Sequence, residues 1–306
     1  MKSIAFIFPG QGSQYVGMGK ELCENFKVAK QVFEEADDCL HLSISKLCFE
    51  GPEEALKLTE NTQPAVLTMS IATFKVLQSE NGLTAQFTAG HSLGEYSALV
   101  ASGALTFSEA VKIVHLRGKF MQEAVPVGEG AMAAVLGMER EQVEKVCEKV
   151  SSGEVLTPAN FNCPGQIVIA GHAKAVVRAI ERVKQEGKKA MLLPVSAPFH
   201  SPLMKPAGER LKKALEEIPV SDLKIPVVTN VEAEVNASKD RVKELLVAQV
   251  SSPVRWEESM RKMIERGVEQ VWEIGPGKVL SGLMKRIDSR VEAKNLEDLQ
   301  TLNKIS

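Results

Sequence analysis

The chain has 306 residues, 37 basic side chains against 39 acidic ones, a formal net charge of -2 and an apolar fraction of 44%. That size and composition suit an ordinary globular protein, either one large domain or a large domain carrying a small one. The charge balance argues against a nucleic-acid binder, and the 5% aromatic content is too sparse for a base-stacking platform.

No apolar run approaches the roughly 18 residues of a membrane span. The apolar start, residues 3–8, is halted by Pro9-Gly10 and is too short for a secretory signal. The five cysteines (Cys23, Cys39, Cys48, Cys147, Cys163) are odd in number and form no CxxC pair. They suggest neither a zinc site nor a disulfide framework, and a reducing cytoplasm is the expected location.

Residues 3–8 predict a buried strand that runs into a Gly-rich loop, Pro9-Gly10-Gln11-Gly12-Ser13-Gln14. Helical patterns follow over 19–41, 52–58 and 63–80, then a strand over 84–89 and helices over 92–102 and 107–124. This alternation favours an α/β domain around a mostly parallel sheet. The middle changes rhythm: strand 131–136, helix 139–150, strands 155–161 and 166–170, helix 173–186, strand 190–195. The order β-α-β-β-α-β is the ferredoxin-like pattern. Gly/Pro-rich segments flank it, which predicts a small α+β domain over 127–196 inserted between 1–126 and 197–306. The α/β alternation then resumes: helix 203–217, strand 225–230, helices 239–248 and 254–266, strand 268–274, helix 278–287. From Arg290 the chain is polar and is expected to be loosely held.

Gly90-His91-Ser92-Leu93-Gly94 fits G-x-S-x-G, with a strand before it and a helix after it, as a nucleophile elbow requires. The large domain is therefore expected to be α/β-hydrolase-like. Free N–H groups at the helix start would favour negative charge developing near Ser92. The alternative is a Gly-rich turn in which Ser92 merely caps the helix.

A nucleophilic serine needs a base. Of the histidines, His41 and His172 sit near helix ends, His115 falls on the edge of a helix face, and His91 adjoins Ser92 at a turn that should aim it elsewhere. His200 lies in a loop after the inserted segment, where catalytic groups of α/β sheets collect. It is the candidate base, against the alternative of a solvated loop histidine. No aspartate occurs between Ser92 and His200, and the glutamates there fall mostly at solvated-face spacing. A Ser–Asp/Glu–His triad is not expected, and something else, such as a backbone carbonyl, must orient the histidine.

On a helical wheel of residues 107–124, Phe107, Ala110, Val111, Val114, Gly118 and Met121 share one apolar arc, and Arg117 falls inside it. A buried arginine needs an anionic partner. That partner is either a protein carboxylate or a substrate carboxylate gripped bidentately.

Taken together, these residues resemble the malonyl-CoA:acyl carrier protein transacylases of bacterial-type fatty acid synthesis. The marks are Phe8-Pro9-Gly10-Gln11-Gly12-Ser13-Gln14, Gly90-His91-Ser92-Leu93-Gly94-Glu95-Tyr96, Arg117-Gly118, Asn160 with Asn162, Pro198-Phe199-His200-Ser201 and Glu273-Ile274-Gly275-Pro276-Gly277. The resemblance implies Ser92 as nucleophile and His200 as general base and acid, with the Gln249 backbone carbonyl orienting that histidine. It implies backbone N–H groups of Gln11 and Leu93 as the oxyanion hole, Arg117 as the malonyl carboxylate's partner, and His91, Asn160 and Asn162 around the pocket. Phe199 is similar to the residue of malonyl-selecting members, so malonyl is expected over methylmalonyl. Malonyl-CoA and an acidic acyl carrier protein are the expected partners, with no bound cofactor or metal, no nucleic acid and no membrane. A monomer is expected. Lys188-Lys189 and Lys285-Arg286 are candidates for a basic docking patch. The competing readings are a serine esterase or thioesterase, a non-catalytic carrier-binding module, and an acyltransferase domain of a polyketide synthase. Met1 directly on the first strand favours a discrete enzyme.

Overall fold

The structure, a computed structural model, describes residues 2–195 and 197–304. Met1, expected to lead straight into the first strand, and Ser196, at the expected edge of the inserted segment, lie outside the described residues.

Strand β1 (Ile4–Phe8) is buried from Ala5 to Phe8. A strand apolar on both faces suits the middle of a parallel sheet covered on both sides. The glycine-rich loop leads to α1 (Lys20–Asn25), α2 (Lys27–Leu40), α3 (Ile44–Glu50) and α4 (Glu53–Leu56). The single helix expected over 19–41 is two helices, because Phe26 takes an extended backbone between them, φ -127° and ψ 116°. Helix α5 (Thr59–Asn81) is buried almost all round as far as Leu77. It is a central helix rather than an amphipathic surface one.

Strand β2 (Phe87–Gly90) runs beside β1 and hands the chain to α6 (Gly94–Ala101) and α7 (Phe107–Glu123). The start of α7 is fixed by a capping box between Thr106 and Glu109, which satisfies backbone donors at its first turn. Its apolar arc packs on α5. The crossing is close at Gly118, where a Cβ would collide with the Thr59 carbonyl. That approach brings Arg117 beside Gln63.

The next segment comprises β3 (Gly130–Leu136), α8 (Arg140–Val150), β4 (Leu156–Cys163), β5 (Gln166–His172), α9 (Ala173–Gln185) and β6 (Lys189–Leu192). Its four strands form a separate antiparallel sheet in the order β4-β5-β3-β6. Helix α9 buries Ala175, Val176, Ala179 and Val183, one face at helical spacing, in the core of this sheet. Strand β6 stops at Leu192, short of residue 195.

The chain returns through α10 (Lys205–Glu216), β7 (Val227–Val228), β8 (Val235–Asn236), α11 (Val242–Ser251), α12 (Trp256–Glu265), β9 (Gln270–Ile274), α13 (Val279–Ile287), β10 (Glu292–Leu296) and α14 (Leu299–Leu302). The first sheet has the order β10-β9-β1-β2-β7-β8, parallel except at the β7–β8 pair. The strand expected over 225–230 is reduced to β7, and Asn230 beyond it turns its side chain to the Ser92 turn. Buried Glu273 at the end of β9 accepts the N–H groups of Leu280 (2.9 Å) and Ser281 (2.7 Å), so it caps α13.

The loosely held end expected from Arg290 is not observed. Strand β10 extends the parallel sheet beside β9, and Leu296 and Leu302 are buried. Its first four residues are only partly buried, so their side chains can stay polar. Among the described residues no helix is long and apolar enough to cross a membrane.

Candidate active site

Ser92 sits between the end of β2 and the start of α6 with φ 51°, a left-handed backbone that costs a serine conformational energy. Close packing holds it there. A Cβ on Gly90 would collide with the Gly94 backbone, and a Cβ on Gly94 would collide with the Phe8 carbonyl. Both glycines of the motif are therefore set by lack of space, not by turn propensity alone. Asn230 clamps the turn from outside: its Oδ1 accepts the Ser92 N–H at 2.7 Å and its Nδ2 donates to the Gly90 carbonyl at 2.7 Å. Leu93, not Ser92, is the N-cap of α6.

His200 meets the Ser92 side chain directly. Its Nε2 lies 2.7 Å from Ser92 Oγ, and its Nδ1 lies 2.9 Å from the Gln249 backbone carbonyl. A ring nitrogen facing a carbonyl must carry the proton, which leaves Nε2 as an acceptor for the serine hydroxyl. His200 is 3% exposed, and its φ of 58° is also left-handed. Burial first, and then the Arg117 charge, push its pKa down to about 3. The ring is therefore neutral at physiological pH, with Nε2 an acceptor facing the Ser92 hydroxyl.

Arg117 is 2% exposed. Its Nη1 donates to Gln63 Oε1 at 2.8 Å, and its Nη2 donates to Gln249 Oε1 at 2.9 Å and to Ser92 Oγ at 3.1 Å. Its carbon Cζ lies 5.6 Å from the centre of the Tyr96 ring. Its Nε is buried without a hydrogen-bond partner. Among the described residues Arg117 forms no ion pair with a carboxylate. A cation so placed, with hydrogen bonds but no counter-ion in contact, is suited to grip an anion that arrives beside Ser92.

The cleft over Ser92 lies between the two sheets, and its lining includes Gln11, Leu93, Met132, Asn160, Leu193 and Phe199. Strand β4 is tied to the segment before α12: Phe161 N–H donates to the Val254 carbonyl at 2.9 Å, and Val254 N–H donates to the Ala159 carbonyl at 2.8 Å. These bonds carry Asn160 and Asn162 to the site. Asn162 Oδ1 lies 2.9 Å from His91 Nε2, and the His91 ring lies 5.5 Å from that of Trp256. Burial lowers the His91 pKa. Asn160 Oδ1 is buried without a partner. The backbone N–H groups of Gln11 and Leu93 have no hydrogen-bond acceptor among the described residues. Lys188, Lys189 and Lys285 are exposed, and Arg286 spans the two sheets' elements by donating to Gln166 Oε1 (2.5 Å) and the Pro164 carbonyl (2.9 Å).

The glutamates between Ser92 and His200 read as mostly solvated, and Glu95 is the buried exception, 2% exposed. Its Oε2 accepts Gln249 Nε2 at 2.8 Å and the Asn230 backbone N–H at 3.0 Å, and burial pushes its pKa up to about 7. It does not contact His200. Gln63, Asn230 and the Gln249 side chain were also not singled out in the sequence. The available signal was Glu95 itself, the one charge in a short helix that is otherwise apolar or small. No group of His, Cys, Asp and Glu side chains among the described residues is arranged to hold a metal ion.

The chain is an acyltransferase: residues 5–302 match the family model for the acyl transferase domain. The chain is 54% identical over 304 residues to a malonyl CoA-acyl carrier protein transacylase of Bacillus subtilis, covering 99% of this chain and 96% of the relative. It is 46% identical to the Escherichia coli K12 protein of the same name, covering 97% of each. A crystal structure of an acyl carrier protein S-malonyltransferase from Vibrio cholerae superimposes with a TM-score of 0.97 at 46% identity, covering 99% of this chain and 100% of that one. A type II PKS acyl-carrier protein complex with its malonyl-transacylase gives a TM-score of 0.97 at 45% identity, with coverage of 99% and 98%. The chain belongs to the acyl transferase family and, within it, to the malonyl CoA-acyl carrier protein transacylases.

Proposed function

We propose that the protein moves the malonyl group of malonyl-CoA onto the phosphopantetheine thiol of an acyl carrier protein through an ester on Ser92, supplying fatty acid biosynthesis. The observation that carries this reading is the position of Arg117, which touches Ser92 Oγ at 3.1 Å yet pairs with no carboxylate among the described residues. A thioester whose acyl group ends in a carboxylate can reach both at once.

The steps follow from the contacts. The malonyl carboxylate takes the Arg117 guanidinium. Ser92 Oγ attacks the thioester carbonyl as its proton passes to His200 Nε2. The Gln249 carbonyl supports the imidazolium through Nδ1–H. The oxyanion accepts the N–H groups of Gln11 and Leu93. As the carbonyl re-forms, the C–S bond breaks and the CoA sulfur takes the proton from His200. The carrier thiol then gives its proton to His200 and attacks the Ser92 ester; the acyl C–O bond breaks, Ser92 Oγ takes the proton back from His200, and the carrier leaves as the malonyl thioester. Phe199 beside His200 supports a preference for malonyl over methylmalonyl, on the order of 1–3 kcal/mol for one methyl group. His91, Asn160 and Asn162 are read as lining the path of the thioester arm.

For the architecture, the six-stranded sheet with an elbow after β2 supports an α/β-hydrolase-like large domain, residues 1–126 and 197–306. The strand order β4-β5-β3-β6 and its antiparallel pairing support a ferredoxin-like inserted domain over 127–196. Five cysteines without a disulfide support a cytoplasmic setting. Product analysis tests the proposal against the thioesterase reading: with malonyl-CoA and a carrier protein, malonyl-carrier should accumulate. Free malonate as the main product would overturn it.

A further inference from the structure

The mechanism above assigns no role to Glu95, yet this buried carboxylate touches every arm of the site at one remove. It stands in the first turn of α6, three residues after the nucleophile. Its Oε2 accepts the Asn230 backbone N–H at 3.0 Å and Gln249 Nε2 at 2.8 Å. Asn230 in turn holds both sides of the strained serine, the Ser92 N–H and the Gly90 carbonyl. Gln249 holds the other two groups: its carbonyl faces His200 Nδ1 and its Oε1 accepts Arg117 Nη2. Gln249 Nε2 also donates to the Ser92 carbonyl at 3.0 Å. Asn230 follows β7 and Gln249 lies on α11, so one oxygen atom on α6 fixes the register of two other elements against the elbow.

We propose that Glu95 is a positioning residue of the acyl transfer, anchoring Asn230 and Gln249 so that Ser92, His200 and the arginine keep one geometry. The proposal deepens the functional reading above and rests on it. Glu95 touches no reacting atom and acts through its two hydrogen bonds. A carboxylate is not unique in that task, because the single oxygen of an amide also accepts two bonds. Alanine leaves both donors buried and unpaired, which costs more than the bonds were worth. A displacement of about 1 Å in a catalytic group is enough to lose on the order of 100-fold in rate.

The test uses Glu95→Gln, Glu95→Asp and Glu95→Ala in the full chain. Ester formation on Ser92 is followed by mass spectrometry with malonyl-CoA, acetyl-CoA and p-nitrophenyl acetate, alongside a denaturant unfolding curve. Glu95→Ala is expected to lower the limiting acylation rate at least about tenfold, consistent with two lost hydrogen bonds. The loss should appear with the acetyl donor as well as the malonyl donor, because the serine and the histidine lose their anchor together with the arginine, whereas a change at Arg117 falls mainly on malonyl. Glu95→Gln should stay within about threefold of the parent chain, since it keeps both bonds. Glu95→Asp keeps the charge but withdraws the acceptor by one methylene, so it should fall with Glu95→Ala and decides the matter if alanine does not fold. An unchanged limiting rate in folded Glu95→Ala or Glu95→Asp overturns the proposal, as does a Glu95→Gln chain as slow as alanine. The aryl acetate needs neither CoA nor a carboxylate. If it acylates Ser92 while malonyl-CoA does not, the malonyl reading falls and Glu95 is still judged.

Discussion

Ser92 and His200, 108 positions apart in the chain, face each other with Oγ and Nε2 at 2.7 Å, and both hold a left-handed backbone, φ 51° and 58°. Neither loop would rest in that form alone. Such conformations persist when the surroundings over-determine them. At Ser92 the constraint is the close stacking of Gly90 and Gly94 on their neighbours and the two bonds from Asn230. At His200 it is the Gln249 carbonyl, with the adjacent Ser201 Oγ donating to the Pro198 carbonyl at 2.7 Å.

Gly94→Ala therefore tests the elbow. The new methyl group would meet the Phe8 carbonyl, and β1 or α6 must shift. Overpacking of this kind costs about 1–3 kcal/mol. Denaturant unfolding should show that loss, and ester formation on Ser92 should fall further than the folded fraction does. A chain with parental stability and rate would mean the glycine is a matter of turn preference only.

Arg117→Ala separates binding from chemistry. Losing charge-assisted hydrogen bonds worth about 1.5–3 kcal/mol each should cut malonyl transfer by on the order of 10- to 100-fold or more. Acetyl transfer should suffer less, so the acetyl-to-malonyl ratio rises. Steady-state rates with the two acyl-CoA donors check this. Equal losses for both would remove Arg117 from substrate recognition.

The protonation of His200 gives a prediction with a definite sign. Its folded pKa, about 3, lies below the unfolded value near 6.5. Between those values the unfolded chain binds the extra proton. The contribution of this group to stability is thus complete above about pH 6.5 and is lost as the pH falls toward about 3. In the folded chain the His200 ring resonances should show no titration between about pH 5 and 8 by NMR. A midpoint near 6.5 for His200 would contradict its burial beside a cation.

How much of this was legible depended on how local each cause is. The glycines around Ser92 answer to steric limits within one turn, so the motif shows them. Arg117 is visible because a charge on an apolar arc breaks the pattern of its own helix. Glu95 breaks its helix pattern too, but its meaning lies with Asn230 and Gln249, 135 and 154 positions away, on elements whose packing no local pattern specifies. Strand β10 escaped notice for another reason. It pairs through its backbone at the sheet edge, and Lys294 and Asn295 carry no strand signature. Phe26 split a helix whose apolar periodicity runs through the break unaltered.

In the proposed mechanism Ser92 carries the acyl group between two thiols. Mixing the intact chain with malonyl-CoA and measuring whole-protein and peptide mass tests it most directly. One malonyl group per chain should appear on the peptide holding Ser92, vanish when a carrier protein bearing the phosphopantetheine thiol is added, and never form in Ser92→Ala. An adduct that survives in Ser92→Ala, or malonyl transfer to the carrier by that variant at the parental rate, would contradict the account.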